Sequence, residues 1–102
     1  MKSVLSSVLK SVVDVPVGSR SGGAAALDGV PSNLVLTVIS DTSIQLDWTI
    51  GSTNQTGHSI ERSEDSINYT EIDTVLGSVA TYTDTGLTAN MTYYYRVRAF
   101  IL

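Results

Sequence analysis

Between Leu34 and Phe100, short runs rich in β-branched and aromatic residues alternate with clusters of Gly, Ser, Asn and Asp. That rhythm constrains the fold more than any other feature, because strands repeating at this spacing bury their apolar faces as an antiparallel sandwich. Leu34–Ile39 and Ser43–Thr49 read as strands around an Asp41-Thr42 turn. The second sends Ile44, Leu46 and Trp48 to one face and Gln45 and Asp47 to the other. Gly51 to Gly57 reads as a loop, and Ser59–Arg62, Tyr69–Leu76 and Val79–Thr83 as further strands, parted by Ser63-Glu64-Asp65-Ser66 and by Gly77-Ser78. Thr92–Phe100 is the strongest strand, with Tyr93, Tyr95, Val97 and Ala99 on one face and Tyr94, Arg96, Arg98 and Phe100 on the other.

The rest of the chain has a different character. Residues 1–17 form an arm in which Val4, Leu5, Val8, Leu9, Val12 and Val13 recur in pairs four apart, predicting an amphipathic helix with Ser3, Ser7, Lys10, Ser11 and Asp14 opposite. Such a short helix is marginal in water and needs a surface to lie on, so those six residues form a partner-docking stripe. The end of the arm also fits an extended segment, Val13, Val15 and Val17 alternating with Asp14 and Pro16, that could add to a sheet edge. Residues 18–30 are small and polar and read as a flexible linker, and 31–102 as the domain.

With six Lys and Arg against ten Asp and Glu, the 102-residue chain carries a net charge of −4 and has no basic cluster to neutralise a row of phosphates. Nucleic acid is therefore not an expected partner. No cysteine is present, which removes disulfides, thiolate metal sites and thiol nucleophiles together. No run approaches the roughly 20 apolar residues that span a bilayer. The apolar part of the arm is interrupted by Ser6, Ser7, Lys10, Ser11 and Asp14, so a cleaved export signal is not expected either.

Candidate chemistry is sparse. His58 is the only histidine, lacks ligand-spaced partners and reads as a partly exposed imidazole at a loop edge. No Gly-x-Ser-x-Gly turn supports a serine nucleophile. Glu64, Asp65, Glu71 and Asp73 are the densest carboxylates, but paired acid and base catalysis needs a cleft that a small sandwich does not provide. No catalytic residue, metal site or cofactor is expected. The row Tyr94, Arg96, Arg98 and Phe100 has the composition of an edge or glycan-binding face, and equally of a row satisfied by cross-strand pairing with Glu61.

Taken in order, Pro31-Ser32-Asn33-Leu34, Ile44-Gln45-Leu46-Asp47-Trp48, Ser59-Ile60-Glu61-Arg62-Ser63, Tyr82-Thr83-Asp84-Thr85-Gly86-Leu87 and Tyr93 to Phe100 resemble a fibronectin type III domain. The resemblance covers about residues 31 to 100. It implies an all-β antiparallel sandwich whose core includes Trp48, Leu87, Tyr93, Tyr95 and Val97, with the Tyr93 hydroxyl bonded back to upstream backbone above Leu87. It does not carry over integrin binding, because the tripeptide of adhesive members is absent.

Members of the family use one more strand than this sequence supplies after Phe100, so the edge of the last strand is expected to be open or covered by something else. The candidates are Val13 to Val17 of the same chain and a strand from a neighbouring subunit. An anchoring arm followed by a displayed sandwich resembles, in organisation alone, a bacteriophage virion accessory protein that attaches to capsid or tail and decorates, cements or weakly binds host-surface glycans. On that reading the protein is non-enzymatic, assembles in the host cytoplasm and contacts other protein subunits through the arm and the open edge. The alternative is an extracellular or cell-surface bacterial spacer or carbohydrate-associated binding module.

Overall fold

The computed structural model describes the backbone of Ser3–Ser7 and residues 27–102. Seven strands follow one another: β1 (Ser3–Ser7), β2 (Ser32–Ser40), β3 (Ser43–Thr49), β4 (Gly57–Ser63), β5 (Thr70–Leu76), β6 (Thr81–Asp84) and β7 (Thr92–Phe100). They form two sheets, one in the order β1-β7-β4-β5 and one in the order β2-β3-β6. Among the described residues there is no helix.

The period-2 pattern explains the core. In β3 and β7 alternate residues are buried, and Ile44, Leu46, Trp48, Tyr93, Tyr95 and Val97 meet Ile60 of β4 and Leu87 between the sheets. Five of the largest apolar side chains, Tyr95, Ile44, Leu46, Ile60 and Val97, are fully buried. Each contributes about 1.5–3 kcal/mol of hydrophobic stabilisation before entropic costs.

Turns are fixed by local chemistry. The Asp65 carboxylate accepts from the amides of Ile67 and Asn68 and from Asn68 Nδ2, while Ser63 Oγ accepts from the amides of Asp65 and Ser66. Those bonds hold the Asp65 carboxyl well below the usual carboxylate range. Gly86 has φ of 74° with open space where a side chain would sit, so its glycine serves backbone conformation and not packing.

The arm departs from helical expectation. Ser3–Ser7 is a strand running parallel to β7, pairing Ser3 with Thr92, Val4 with Tyr93, Ser6 with Tyr94 and Ser7 with Tyr95, with an irregularity at Leu5. The edge of β7 is therefore not bare, and its occupant is this segment; Val13 to Val17 lies outside the described residues. A helix and a strand compete closely here because β-branched valine favours extended backbone and serine is a mediocre helix former, and an edge offering unpaired amides decides the outcome.

Candidate functional site: the outer face of the four-stranded sheet

β7 lies between β1 and β4, and its outward row, Tyr94, Arg96, Arg98 and Phe100, is half-buried. Register puts Arg96 opposite Glu61, Arg98 opposite Ser59 and Phe100 opposite Gly57. Arg96 Nε donates to Glu61 Oε1, and Arg98 Nε stands 3.3 Å from the same oxygen, so one carboxylate serves two guanidinium groups. Ser59 Oγ donates toward Glu71 Oε1 at 2.7 Å and lies 3.2 Å from Glu61 Oε2, extending the network to β5. The Arg96 guanidinium sits 4.3 Å from the centre of the Tyr69 ring, a cation–π contact that covers one face of that ring. Burial, the largest influence, raises the Tyr69 phenol pKa above its usual value, with the Arg96 charge acting against it.

Gly57 makes room for Phe100. A Cβ there would come within 2.8 Å of the Phe100 ring and 2.7 Å of the Val75 carbonyl oxygen. The face thus consists of guanidinium groups tied to Glu61, a ring under Arg96 and a ring over Gly57. Cross-strand pairing with Glu61, one of the two sequence readings, is present, and Tyr69 joins the row although the strand pattern gave no signal for it.

Inside the sandwich a second polar group is built from alternating residues. Arg62 of β4 points inward, and its Nη1 donates to both oxygens of Asp84 at 3.1 and 2.8 Å. Tyr95 donates to Asp84 Oδ2 at 2.7 Å, and the Arg62 guanidinium lies 5.6 Å from the Tyr93 ring centre. Burial works against the Arg62 charge, but the Asp84 hydrogen bond and charge outweigh it and raise its pKa. Burial and then the Asp84 bond push the Tyr95 phenol far above its ordinary value. The Tyr93 hydroxyl accepts from the Thr88 amide at 2.9 Å, five residues upstream, and Leu87 is buried beside it.

His58 corrects the sequence reading. It is fully buried, edge-on to Trp48 with ring centres 5.6 Å apart, because β4 begins at Gly57 and so turns His58 inward with Ile60 and Arg62. Burial depresses its pKa; the Leu76 carbonyl pulls slightly the other way but lies outside hydrogen-bond geometry.

A surface pocket of about 510 Å³ opens beside Arg62, Ser63, Glu64, Asp65, Asn68, Thr70 and Ile72. Its Asp65 and Ser63 already serve the turn, and Arg62 serves Asp84. Among the described residues no three metal-binding side chains converge, and no helix is long and apolar enough to cross a membrane. Of the proposed docking stripe, Val4 and Leu5 fall in β1, while Val8, Leu9, Val12 and Val13 lie outside the described residues.

Comparison with known proteins agrees with this architecture. The chain is 35% identical over 91 residues to an alpha-amylase of Niallia circulans, a match that takes in 87% of this chain and 6% of that protein's length. The solution structure of the fn3 domain of human collagen alpha-1(XX) chain superposes with a TM-score of 0.60 at 25% identity, over 81% of this chain and 76% of that one. A crystal structure of an FN3 domain of human collagen XX shares the fold at 23% identity and a TM-score of 0.58, over 76% of this chain and 81% of that one. The fibronectin type III domain family matches residues 29–101, most of the chain, and the protein belongs to that family.

Proposed function

We propose that this chain is a non-catalytic spacer module of the kind carried by extracellular carbohydrate-acting proteins. The observation that carries the reading is the alpha-amylase relationship, in which nearly all of this chain corresponds to a small fraction of a much longer protein. The site geometry favours spacing over sugar capture. A glycan platform presents free aromatic faces and unengaged planar polar groups, whereas here Arg96 and Arg98 share Glu61 and Arg96 covers Tyr69. The buried carboxylate of Asp84 is likewise committed, to Arg62 and Tyr95, and the fully buried His58 has no carboxylate bonded to it, so no acid and base pair is poised among the described residues.

Virion attachment, read from the organisation of arm and domain, has no observation of the fold or relatives behind it, and the amylase relationship draws the chain to the alternative. The test is affinity electrophoresis in gels with and without soluble starch, alongside a reducing-sugar assay. A spacer migrates equally in both gels and releases no sugar. Retardation by starch that is lost in Tyr94→Ala would make the β7 face a binding site and overturn the spacer assignment, and sugar release would overturn the non-catalytic one.

A further inference from the structure

We propose that β1 is a releasable strap that sets the direction in which the chain passes through this module, and with it the distance the module spans. The inference rests on the spacer reading and adds the device that fixes the spacing. Without β1, both ends of the sandwich lie at one pole. The Asp28 amide donates to Asn54 Oδ1 at 3.2 Å, and the Asp28 carboxylate accepts from the Thr53 amide at 2.8 Å. The Leu102 amide donates to Thr56 Oγ1 at 3.0 Å, and the Thr56 amide donates to the Phe100 carbonyl at 2.7 Å. The anchors Thr53 and Thr56 belong to one loop and are at most about 11 Å apart along the chain. In a longer protein, a sandwich made of residues 28–102 alone would hang from one pole.

β1 changes that geometry. It runs parallel to β7, with Ser3 beside Thr92 at the start of β7 and Ser7 beside Tyr95. Phe100, at the far end of β7, lies opposite Gly57 at the start of β4, on the pole that holds residues 28 and 102. Ser3 is therefore at the opposite pole. At about 3.3 Å per residue from Thr92 to Phe100, it stands roughly 25–30 Å from the exit at Leu102. With β1 in place the chain enters at one pole and leaves at the other. A strand running antiparallel to β7 in the same position would start at the exit pole, so the parallel direction is what puts the module in line.

The strap is closed by its own pairing and not by chain length. From Ser7 to Asp28 the chain could reach about 70 Å fully extended. The stretch of β7 from Tyr95 to Phe100, which separates those two points along the sandwich, is only about 17 Å. Connectivity thus allows β1 to leave β7 without disturbing residues 28–102. The pairing itself is short and parallel, and it is broken by the irregularity at Leu5. A strand joined to its acceptor by so short a tether sees it at millimolar effective concentration, so a pairing too weak to hold two separate chains still closes the strap. The same comparison favours the chain's own β1 over that of a second copy at micromolar protein.

The absence of cysteine makes the test direct. Spin labels on Ser3→Cys and Leu102→Cys, read by pulsed electron resonance at about 50 µM, should give a narrow distance distribution centred at about 30 Å. Adding Val4→Pro with Leu5→Pro removes two adjacent amides, one of which faces β7 whichever way the strand is turned. That change should at least double the width of the distribution while Trp48 fluorescence shows the sandwich still folded. A distribution as broad in the parent as in the proline variant overturns the proposal. So does a narrow distance the prolines leave unchanged, a distance below about 20 Å, or prolines that unfold the sandwich. A narrow distance present only where sedimentation shows two chains assigns the strap to a second copy and overturns it too. The spacer reading fails separately: starch retardation with the distance intact removes the spacer and leaves the strap, and a broad distance without retardation does the reverse.

Discussion

Arg62 occupies an inward position of β4, where an unpaired charge would cost several kcal/mol, and it is tolerated there because Asp84 and the Tyr93 ring face it. Asp84→Ala strips the partner from Arg62 and the acceptor from Tyr95 at once. The expected loss is about 2–3 kcal/mol in urea unfolding, below the range for fully buried pairs because the Arg62 side chain keeps 30% exposure. Tyr95→Phe removes one hydrogen bond and should cost about 1 kcal/mol. Gly86→Ala, forced to hold φ of 74°, should cost about 1 kcal/mol without changing the core. Alternation places Trp48, Tyr93, Tyr95 and Val97 on inward faces, while Leu87, which lies between strands, came only from the resemblance to fibronectin type III domains. Sequence reading did not reach the Arg62–Asp84 pair, whose partners are 22 residues apart, although a charged residue in phase with Ile60 was a signal that a buried partner must exist. The His58 environment was missed because the start of β4 at Gly57, and hence its parity, depends on pairing with Phe100 across the sheet.

At the scale of the element, β2 to β7 were legible as alternating runs, and their bounds moved by no more than two residues against the reading. β1 was not. The spacing of Val4, Leu5, Val8 and Leu9 satisfies a helix, and a strand at Ser3–Ser7 exists only because the distant β7 offers it an edge. Parallel pairing of a short segment with an irregularity at Leu5 gives a modest increment of stability. Removing residues 1–7 should therefore leave the sandwich folded, since among the described residues the buried apolar cluster runs from Ile44 to Ala99, and cost on the order of 1–2 kcal/mol. Amide exchange followed by NMR should show faster exchange confined to the β7 amides that face away from β4. Unchanged exchange along β7 would mean that β1 contributes nothing to this edge in solution.

Across the whole molecule the two ends of the core respond to pH in opposite directions. At one end His58 is held neutral by burial, its pKa below 6.5. The unfolded chain takes up that proton first, so stability is full above pH 6.5 and falls as pH drops toward the depressed folded value. The carboxyls of Asp28 and Asp65, depressed by hydrogen bonds from Thr53 and Asn68, act only below their ordinary 3.8. Between those limits, among the described residues with shifted pKa, His58 alone sets the slope. At the other end the Tyr95 phenol ionises in the unfolded chain near 10.0 but stays protonated beside Asp84 in the fold, so stability is full below pH 10.0 and is lost as pH rises further. Urea unfolding from pH 4 to 11 should thus trace a plateau between an acid limb set by His58 and an alkaline limb to which Tyr95 contributes alongside Tyr69 and Tyr82, whose phenols burial also raises. His58→Leu should flatten the limb between about pH 6.5 and 4 while leaving the alkaline limb in place, and Tyr95→Phe should reduce the alkaline limb alone. Trp48, the single tryptophan and in edge contact with the single histidine, reports unfolding at that end directly through its fluorescence. An acid limb that persists unchanged in His58→Leu would show that the buried imbalance lies elsewhere, and would detach the Trp48 end of the core from the pH response.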